Sequence, residues 1–220
     1  MKKTFYSLVL VCAAMLMTSC DGNASSLLGG AAFPADKAES YAKAIEIVKE
    51  KTDLNKFKIY YARFYEGDDL SNDMLYVLIK MVNPDNLTFS QPFYLDGHVG
   101  DMREASEASS YDIDYEKING IDLTQLDVAK IQSQLEEAKE MIPEGHTYKS
   151  ISYYQIEEVL PKLRPSHFDK MREVGAYETE FGLCFTEDGK ETETNGGKVN
   201  YLYYEVRVQV NPDGTLTVKE

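Results

Sequence analysis

Apolar residues recur at helical spacing in two segments of the chain. In "DKAESYAKAIEIVKEKTDL" the stripe is Ala38, Tyr41, Ala42, Ile45 and Val48, and in "TQLDVAKIQSQLEEAKEMIP" it is Val128, Ile131, Leu135, Ala138 and Ile142. Each stripe predicts an amphipathic helix that packs one side against a core. We expect Asp36 with Glu39 to cap the first helix and Thr124 to cap the second.

Other segments are rich in aromatic and β-branched residues and are bounded by turn residues, which predicts strands. They are 57–66, 73–82, 87–95, 148–158, 177–187, 199–210 and 215–219. The segment 148–158 also fits a helix, because apolar residues continue at helical spacing as far as Leu163. The order of helix, three strands, helix and four strands predicts an α+β fold with antiparallel sheet.

Nearly the same turn occurs twice, as "VNPDNLTF" from Val82 and as "VNPDGTLTV" from Val210. Pro followed by Asp suits the central positions of a type I turn. The next residue must then take a left-handed conformation, which Gly214 allows and which Asn86 tolerates. We therefore predict that each turn closes the last hairpin of one half of the chain.

The repeated element order favours two tandem modules, each a helix packed on an antiparallel sheet. The modules are 36–103 and 123–220, with an acidic connector at 104–122. Convergent turn chemistry is the alternative, because the polar positions of the two hairpins do not align when Val82 and Val210 are superposed. In element order the chain resembles PepSY-like and β-lactamase-inhibitor-protein-like domains and the cystatin-like fold. This resemblance implies binding or inhibition of other proteins.

The N-terminus has the layout of a bacterial secretory signal. Two lysines precede an apolar stretch from Phe5 to Leu16, which is too short to span a bilayer as a mature helix. "MTSC" then resembles a lipobox, in which the cysteine becomes the first mature residue and carries lipid, although Met17 stands where leucine is usual.

The lipobox resemblance implies a bacterial lipoprotein with a signal peptide at 1–19 and a lipidated Cys20. A Gly- and Ser-rich stretch at 20–35 would be a flexible tether. The protein would then lie in the bacterial cell envelope, lipid-anchored to the outer membrane or another membrane. Ordinary secretion, in which Cys20 is removed with the signal, is the alternative.

The net charge of the chain argues against one class of partner. Asp and Glu number 37 against 23 Lys and Arg, a net charge of −14. Such a charge repels phosphate backbones, so we expect no nucleic-acid partner. Cys12 lies in the signal and Cys20 is lipidated, which leaves Cys184 without a disulfide partner.

Familiar catalytic and metal-binding motifs do not occur in the sequence. The three histidines lack zinc-site spacing, and the acidic run from Asp112 to Glu116 lacks the Gly and Glu of an EF-hand loop. Nucleophile elbows, phosphate loops and dinucleotide fingerprints are also missing. We therefore predict no catalytic residue, metal or cofactor, and an inert thiol at Cys184.

Tyrosine is frequent, with 16 residues in a chain that has no Trp. Adjacent strand residues face opposite ways, and the alternation from Tyr204 to Val210 marks a core face, which places Tyr201 and Tyr203 outside. Tyr60 is placed outside by the same argument. These three are the candidate binding residues, because tyrosine is favoured in interfaces. Ordinary strand packing is the alternative.

Together these features favour a membrane-tethered, non-enzymatic binding or interaction lipoprotein of the envelope, with a protein or glycan ligand. Two other classes remain open. One is an envelope or extracellular hydrolase with a site that the sequence does not reveal, and the other is a structural component of an envelope complex.

The lipobox predicts that Cys20 carries the lipid. Cells fed a labelled fatty acid should incorporate label into the wild-type protein and not into Cys20→Ala. Label that persists in Cys20→Ala would refute lipidation at this residue.

Overall fold

The structure is a computed structural model that describes residues 31–105, 110–195 and 198–219. The predicted signal peptide, Cys20 and most of the predicted tether lie outside these residues. From Phe33 onward the chain forms one compact unit. No helix in the described part of the chain is long and apolar enough to cross a membrane.

Both predicted helices are present; the first contains its whole apolar stripe, and the second ends before Ile142, the last residue of its stripe. Helix α1 is Ala38–Lys51 and helix α2 is Val128–Lys139. The buried apolar residues of α1 are Tyr41, Ala44, Ile47 and Val48, and those of α2 are Ile131, Leu135 and Ala138. These buried residues enter one hydrophobic core, but Ala42 of the predicted first stripe is exposed.

The predicted caps were wrong for both helices. The N-cap of α1 is Lys37, without a side-chain hydrogen bond, because Asp36 instead accepts hydrogen bonds from Lys139 and Asn72. The N-cap of α2 is Asp127, which accepts from the backbone N–H of Lys130. Thr124 lies in a separate 3-10 turn, Leu123–Gln125, that precedes α2.

The described residues contain ten strands. They are β1 Lys58–Glu66, β2 Met74–Val82, β3 Thr88–Tyr94, β4 Arg103–Glu104, β5 His146–Glu158, β6 Tyr177–Glu187, β7 Thr192–Asn195, β8 Lys198–Tyr201, β9 Tyr204–Val210 and β10 Leu216–Lys219. The strand assignment of 148–158 is confirmed by β5. The predicted strand 199–210 is instead divided between β8 and β9.

Eight of the strands form one antiparallel sheet in the order β10-β9-β6-β5-β1-β2-β3-β4, and β7 pairs separately with β8. The fold is therefore α+β, as predicted. At the centre of the sheet β1 pairs with β5. Tyr41 of α1 packs over this junction, where it contacts Phe64 of β1 and Tyr154 of β5. The sheet continues through this junction, so the division into two modules stays a prediction.

The two related turns have the same conformation, as the sequence predicted. Asn86 and Gly214 both adopt left-handed backbone angles, with φ of 62° and 89°. The N–H of Asn86 donates to the carbonyl of Asn83 at 2.9 Å, and the N–H of Gly214 donates to that of Asn211 at 2.8 Å. One turn joins β2 to β3 and the other joins β9 to β10.

An ion pair ties the start of α1 to the end of α2. Lys139 Nζ lies 2.6 Å from Asp36 Oδ2, and both side chains are largely buried. Burial by itself raises the pKa of Asp36, but hydrogen bonds from Lys139 and Asn72, with the charges of Lys139 and Lys37, bring that pKa below its ordinary value. The ionised carboxyl therefore stabilises the fold above the unfolded-state pKa of about 4, and this stabilisation is lost as the pH falls through the folded-state pKa.

We expect Asp36→Asn to lower the free energy of unfolding by about 2 kcal/mol at pH 7, because a charge-assisted hydrogen bond is lost. The difference from wild type should shrink as the pH falls from 5 to 3, measured by urea unfolding. Glu136→Gln is the control, because Glu136 is an exposed partner of the same lysine and should lose less than about 1 kcal/mol. A difference for Asp36→Asn that does not change with pH would contradict the ion-pair explanation.

Candidate functional site: the outer face of the sheet

The face of the sheet opposite the helices, here called the outer face, carries a row of four tyrosines. Tyr153, Tyr65, Tyr76 and Tyr94 occupy directly paired positions on β5, β1, β2 and β3. Paired positions in a sheet point to the same face, so the four rings lie side by side. The centroids of Tyr65 and Tyr76 are 4.8 Å apart with stacked rings, and those of Tyr76 and Tyr94 are 5.4 Å apart.

Neighbouring groups occupy the ring faces of this tyrosine row. The guanidinium of Arg63 lies 3.6 Å from the ring centroid of Tyr153 and 4.9 Å from that of Tyr65. At the other end the His98 ring stacks on Tyr94 at 3.9 Å. Stacking and cation–π contacts of this kind stabilise the sheet. The row consequently presents ring edges and hydroxyl groups to solvent, with little free ring face.

The row stops at β6 because the next paired position is Gly182. A Cβ there would lie 2.8 Å from Cε1 of Tyr153 and 2.7 Å from Oε1 of Glu205. The Oγ of Ser152 would be closer still, so any side chain at Gly182 would have to displace all three groups. Neighbouring side chains therefore fill the space above Gly182, and the row of tyrosines ends there.

Beside Tyr153 and Tyr65 lies a cleft of about 240 Å³, here called the acidic cleft. Three of its lining residues are the carboxylates Glu66, Asp69 and Glu205. Glu205 accepts a hydrogen bond from Ser152 Oγ at 2.6 Å, and Asp69 Oδ2 lies 3.5 Å from the hydroxyl of Tyr203. Within the described part of the chain, Arg63 is the one cation that lines the cleft. The cleft therefore carries a net negative charge.

Glu66 is held most firmly of the three carboxylates. It accepts hydrogen bonds from the backbone N–H of Asn72 and from Ser150 Oγ. Burial nevertheless raises the pKa of Glu66 above its ordinary value. Asp69 is exposed and has the weakest partner, which makes it the carboxylate most available to a ligand cation.

Cys184 lines the same cleft but has the properties of a packed residue. It is buried, and burial together with the nearby charge of Glu205 raises its pKa to about 11. A thiol with this pKa is protonated at neutral pH and is a weak nucleophile. The structure thus agrees with the predicted inert thiol.

The predicted exposure of Tyr201 and Tyr203 is confirmed. Four consecutive large side chains are exposed where β8 leads into β9: Tyr201 at 68%, Leu202 at 41%, Tyr203 at 38% and Tyr204 at 50%. We call these residues the aromatic segment. Tyr203 also lines the acidic cleft, so the segment and the cleft are continuous.

The predicted burial of Tyr204 was wrong. Its strand does alternate as expected, since Val208 is fully buried on the core face. Tyr204, however, begins β9 and pairs with Phe185, on which its ring stacks at 5.5 Å while staying half exposed. Alternation identifies the face of a residue, but not how far the core extends along the strand.

The predicted exposure of Tyr60 was also wrong, because a β-bulge occurs at this position. Register shifts between Ile59 and Tyr61, which leaves Tyr60 as the extra residue. Tyr60 is buried in a small second core with Val82, Ile118 and Leu160. Ile118 belongs to the segment predicted to be a solvated connector, so nothing in the local pattern around Tyr60 indicated this cover.

Sequence reasoning found two members of this surface and missed the cleft. The charged residues of the cleft come from β1, from the turn after β1 and from β9, so their spacing along the chain forms no motif. Among the described residues, no group of three or more His, Cys, Asp and Glu side chains could hold a metal ion. Asp114, in the acidic run considered for calcium, instead pairs with Lys117 at 2.9 Å.

Comparisons with protein-family models, with curated proteins and with solved structures gave no match. The geometry and charge of the surface are therefore the evidence for its function.

We expect the tyrosines to fall into two classes in urea unfolding. Tyr154 is buried between Tyr41 and Phe181, so Tyr154→Ala should cost about 3 to 5 kcal/mol. Tyr203→Ala should cost no more than about 0.5 kcal/mol, and Tyr204→Ala about 1 kcal/mol, since only Tyr204 stacks on a core residue. A large loss for Tyr203→Ala would mean that this residue is part of the core and not of a free surface.

Proposed function

We propose that this protein is a lipid-anchored, non-enzymatic binding protein of the bacterial envelope, and that its ligand is another protein. The N-terminal lipid on Cys20 would hold it on a membrane. The aromatic segment and the acidic cleft would form the binding surface. The observation that carries the proposal is that four consecutive large side chains are exposed beside three carboxylates.

The chemistry of the surface favours a protein ligand that combines apolar and basic side chains. Tyr and Leu side chains supply large contact area with little polar desolvation, which is typical of interface centres. Asp69 and Glu205 would attract Lys or Arg, and the net charge of −14 would steer such a partner from a distance. Glycans bind across free aromatic ring faces, and those of the tyrosine row are occupied, so the row does not favour a glycan.

The finer architecture belongs to the same proposal. Two tandem modules, 36–103 and 123–220, would resemble PepSY-like or β-lactamase-inhibitor-protein-like domains in element order. The identical conformation of the turns at Asn86 and Gly214 supports this duplication. The antiparallel pairing of β1 with β5 supports it as well, since each strand follows the helix of its own half and a two-fold relation would pair them in this way.

Site-specific photo-crosslinking tests the binding surface. We would place benzoylphenylalanine at Tyr201 in native cells, with the same residue at Phe168 as the control, because Phe168 is an exposed aromatic side chain outside the surface. Tyr201 should give a discrete protein adduct and Phe168 should not. Adding Asp69→Asn and Glu205→Gln should reduce the Tyr201 adduct several-fold at low salt, because the cleft loses two charges.

Three outcomes would contradict the proposal. Equal adducts from both positions would mean that the surface is not selective. Adducts only with polysaccharide would favour the glycan alternative, and turnover of an envelope polymer by the purified protein would favour the hydrolase alternative. Release of the protein from the membrane fraction is expected for Cys20→Ala alone, so anchoring and binding can fail separately.

A further inference from the structure

A second concave site lies on the helix side of the sheet, away from the outer face. It is a cavity of about 470 Å³ between the first half of α2 and strands β5, β6 and β9. Its apolar lining includes Leu126, Ile131, Ile156 and Val210. Cavities that hold small molecules typically measure about 300 to 1,000 Å³, so this one is large enough for a ligand.

Two buried polar side chains line the cavity and indicate which kind of ligand it would bind. Gln134 and Tyr154 both line it, at 7% and 3% exposure. The hydroxyl of Tyr154 donates to Oε1 of Gln134 at 3.1 Å. Within the described residues no acceptor bonds to Nε2 of Gln134. Since Gln134 lines the cavity, a ligand oxygen there would accept a hydrogen bond from this amide group.

The charges at the rim decide the class of ligand. The carboxylates of Asp122 and Asp127 are fixed in position, because they accept hydrogen bonds from the backbone N–H groups of Thr124 and Lys130. Among the residues that the structure describes, Lys130 supplies the only cation that lines the cavity. Two carboxylates against one ammonium group oppose an anionic ligand, as does the net charge of the chain.

We propose that this cavity binds a small, neutral, amphipathic molecule. Its apolar body would pack against Ile131, Ile156 and Val210, and its carbonyl or hydroxyl oxygen would accept a hydrogen bond from Gln134 Nε2. The site is separate from the acidic cleft and does not depend on the proposed protein partner.

The probe for this site is prodan, a neutral naphthalene dye with one ketone, whose emission shifts to the blue in an apolar environment. The purified mature chain should bind prodan saturably, with one dye per chain, and 1-decanol should displace the dye at lower concentration than decanoate does. Thr179→Phe should abolish binding, because Thr179 is partly buried and lines the cavity. Thr192→Phe is the matched control, since Thr192 is exposed on β7 and outside the cavity.

The polar contact is tested by Gln134→Leu, which should weaken prodan binding about fivefold through the loss of one hydrogen bond. The location is tested on the wild-type protein, so that a variant that fails to fold does not leave the proposal open. Prodan should shift the methyl NMR signals of Ile131, Ile156 and Val210.

Several outcomes would overturn the proposal. Absence of saturable binding, or NMR shifts confined to other methyl groups, would mean that the cavity is not the site. Equal prodan binding by folded Thr179→Phe and by its control would also mean that the cavity is not the binding site. Stronger competition by decanoate than by decanol would overturn the neutral class of ligand.

Discussion

The antiparallel pairing of β1 with β5 is the constraint on which the rest of the structure depends. It makes one eight-stranded sheet from strands that lie far apart along the chain. Phe64 and Tyr154 are directly paired across this junction, and Tyr41 of α1 contacts both rings edge-on, at 5.0 and 5.5 Å. Each such aromatic contact adds about 0.5 to 1.5 kcal/mol to the burial of the rings.

The register of this junction decides what each face of the sheet carries. Phe64 and Tyr154 face the helices, so Tyr65 and Tyr153 must face the other way. A shift by one residue would turn the tyrosines inward and the core residues outward. The tyrosine row, the position of Arg63 within it and the end of the row at Gly182 are all consequences of the same register.

The two faces differ in chemistry because the helices cover only one of them. The outer face keeps its charged groups in contact with water, which suits a ligand recognised by charge and aromatic contact. On the helix side, α2 leaves part of β5, β6 and β9 uncovered, and the apolar surface that remains forms a cavity. The aromatic segment connects β8 of the separate β7–β8 hairpin to β9 of the main sheet, and its four side chains are exposed to solvent there.

The sequence by itself determined the local structure. Helical spacing, strand composition and turn chemistry predicted both helices, most strands and the left-handed residues Asn86 and Gly214, because these depend on neighbours a few positions away. The exposure of Tyr201 and Tyr203 also followed from alternation within one segment. The predicted caps at Asp36 and Thr124 failed, since Asp36 has a stronger partner in Lys139, 103 residues along the chain.

Only the tertiary structure decided how these elements combine. The bulge that buries Tyr60, the half-exposed position of Tyr204, the acidic cleft and the apolar cavity all arise from contacts between distant segments. Such contacts leave no spacing in the sequence, because the residues of each site share a neighbourhood in the sheet and not along the chain. The pairing of β1 with β5 brings them together, and that pairing depends on the packing of a whole core and not on any local motif.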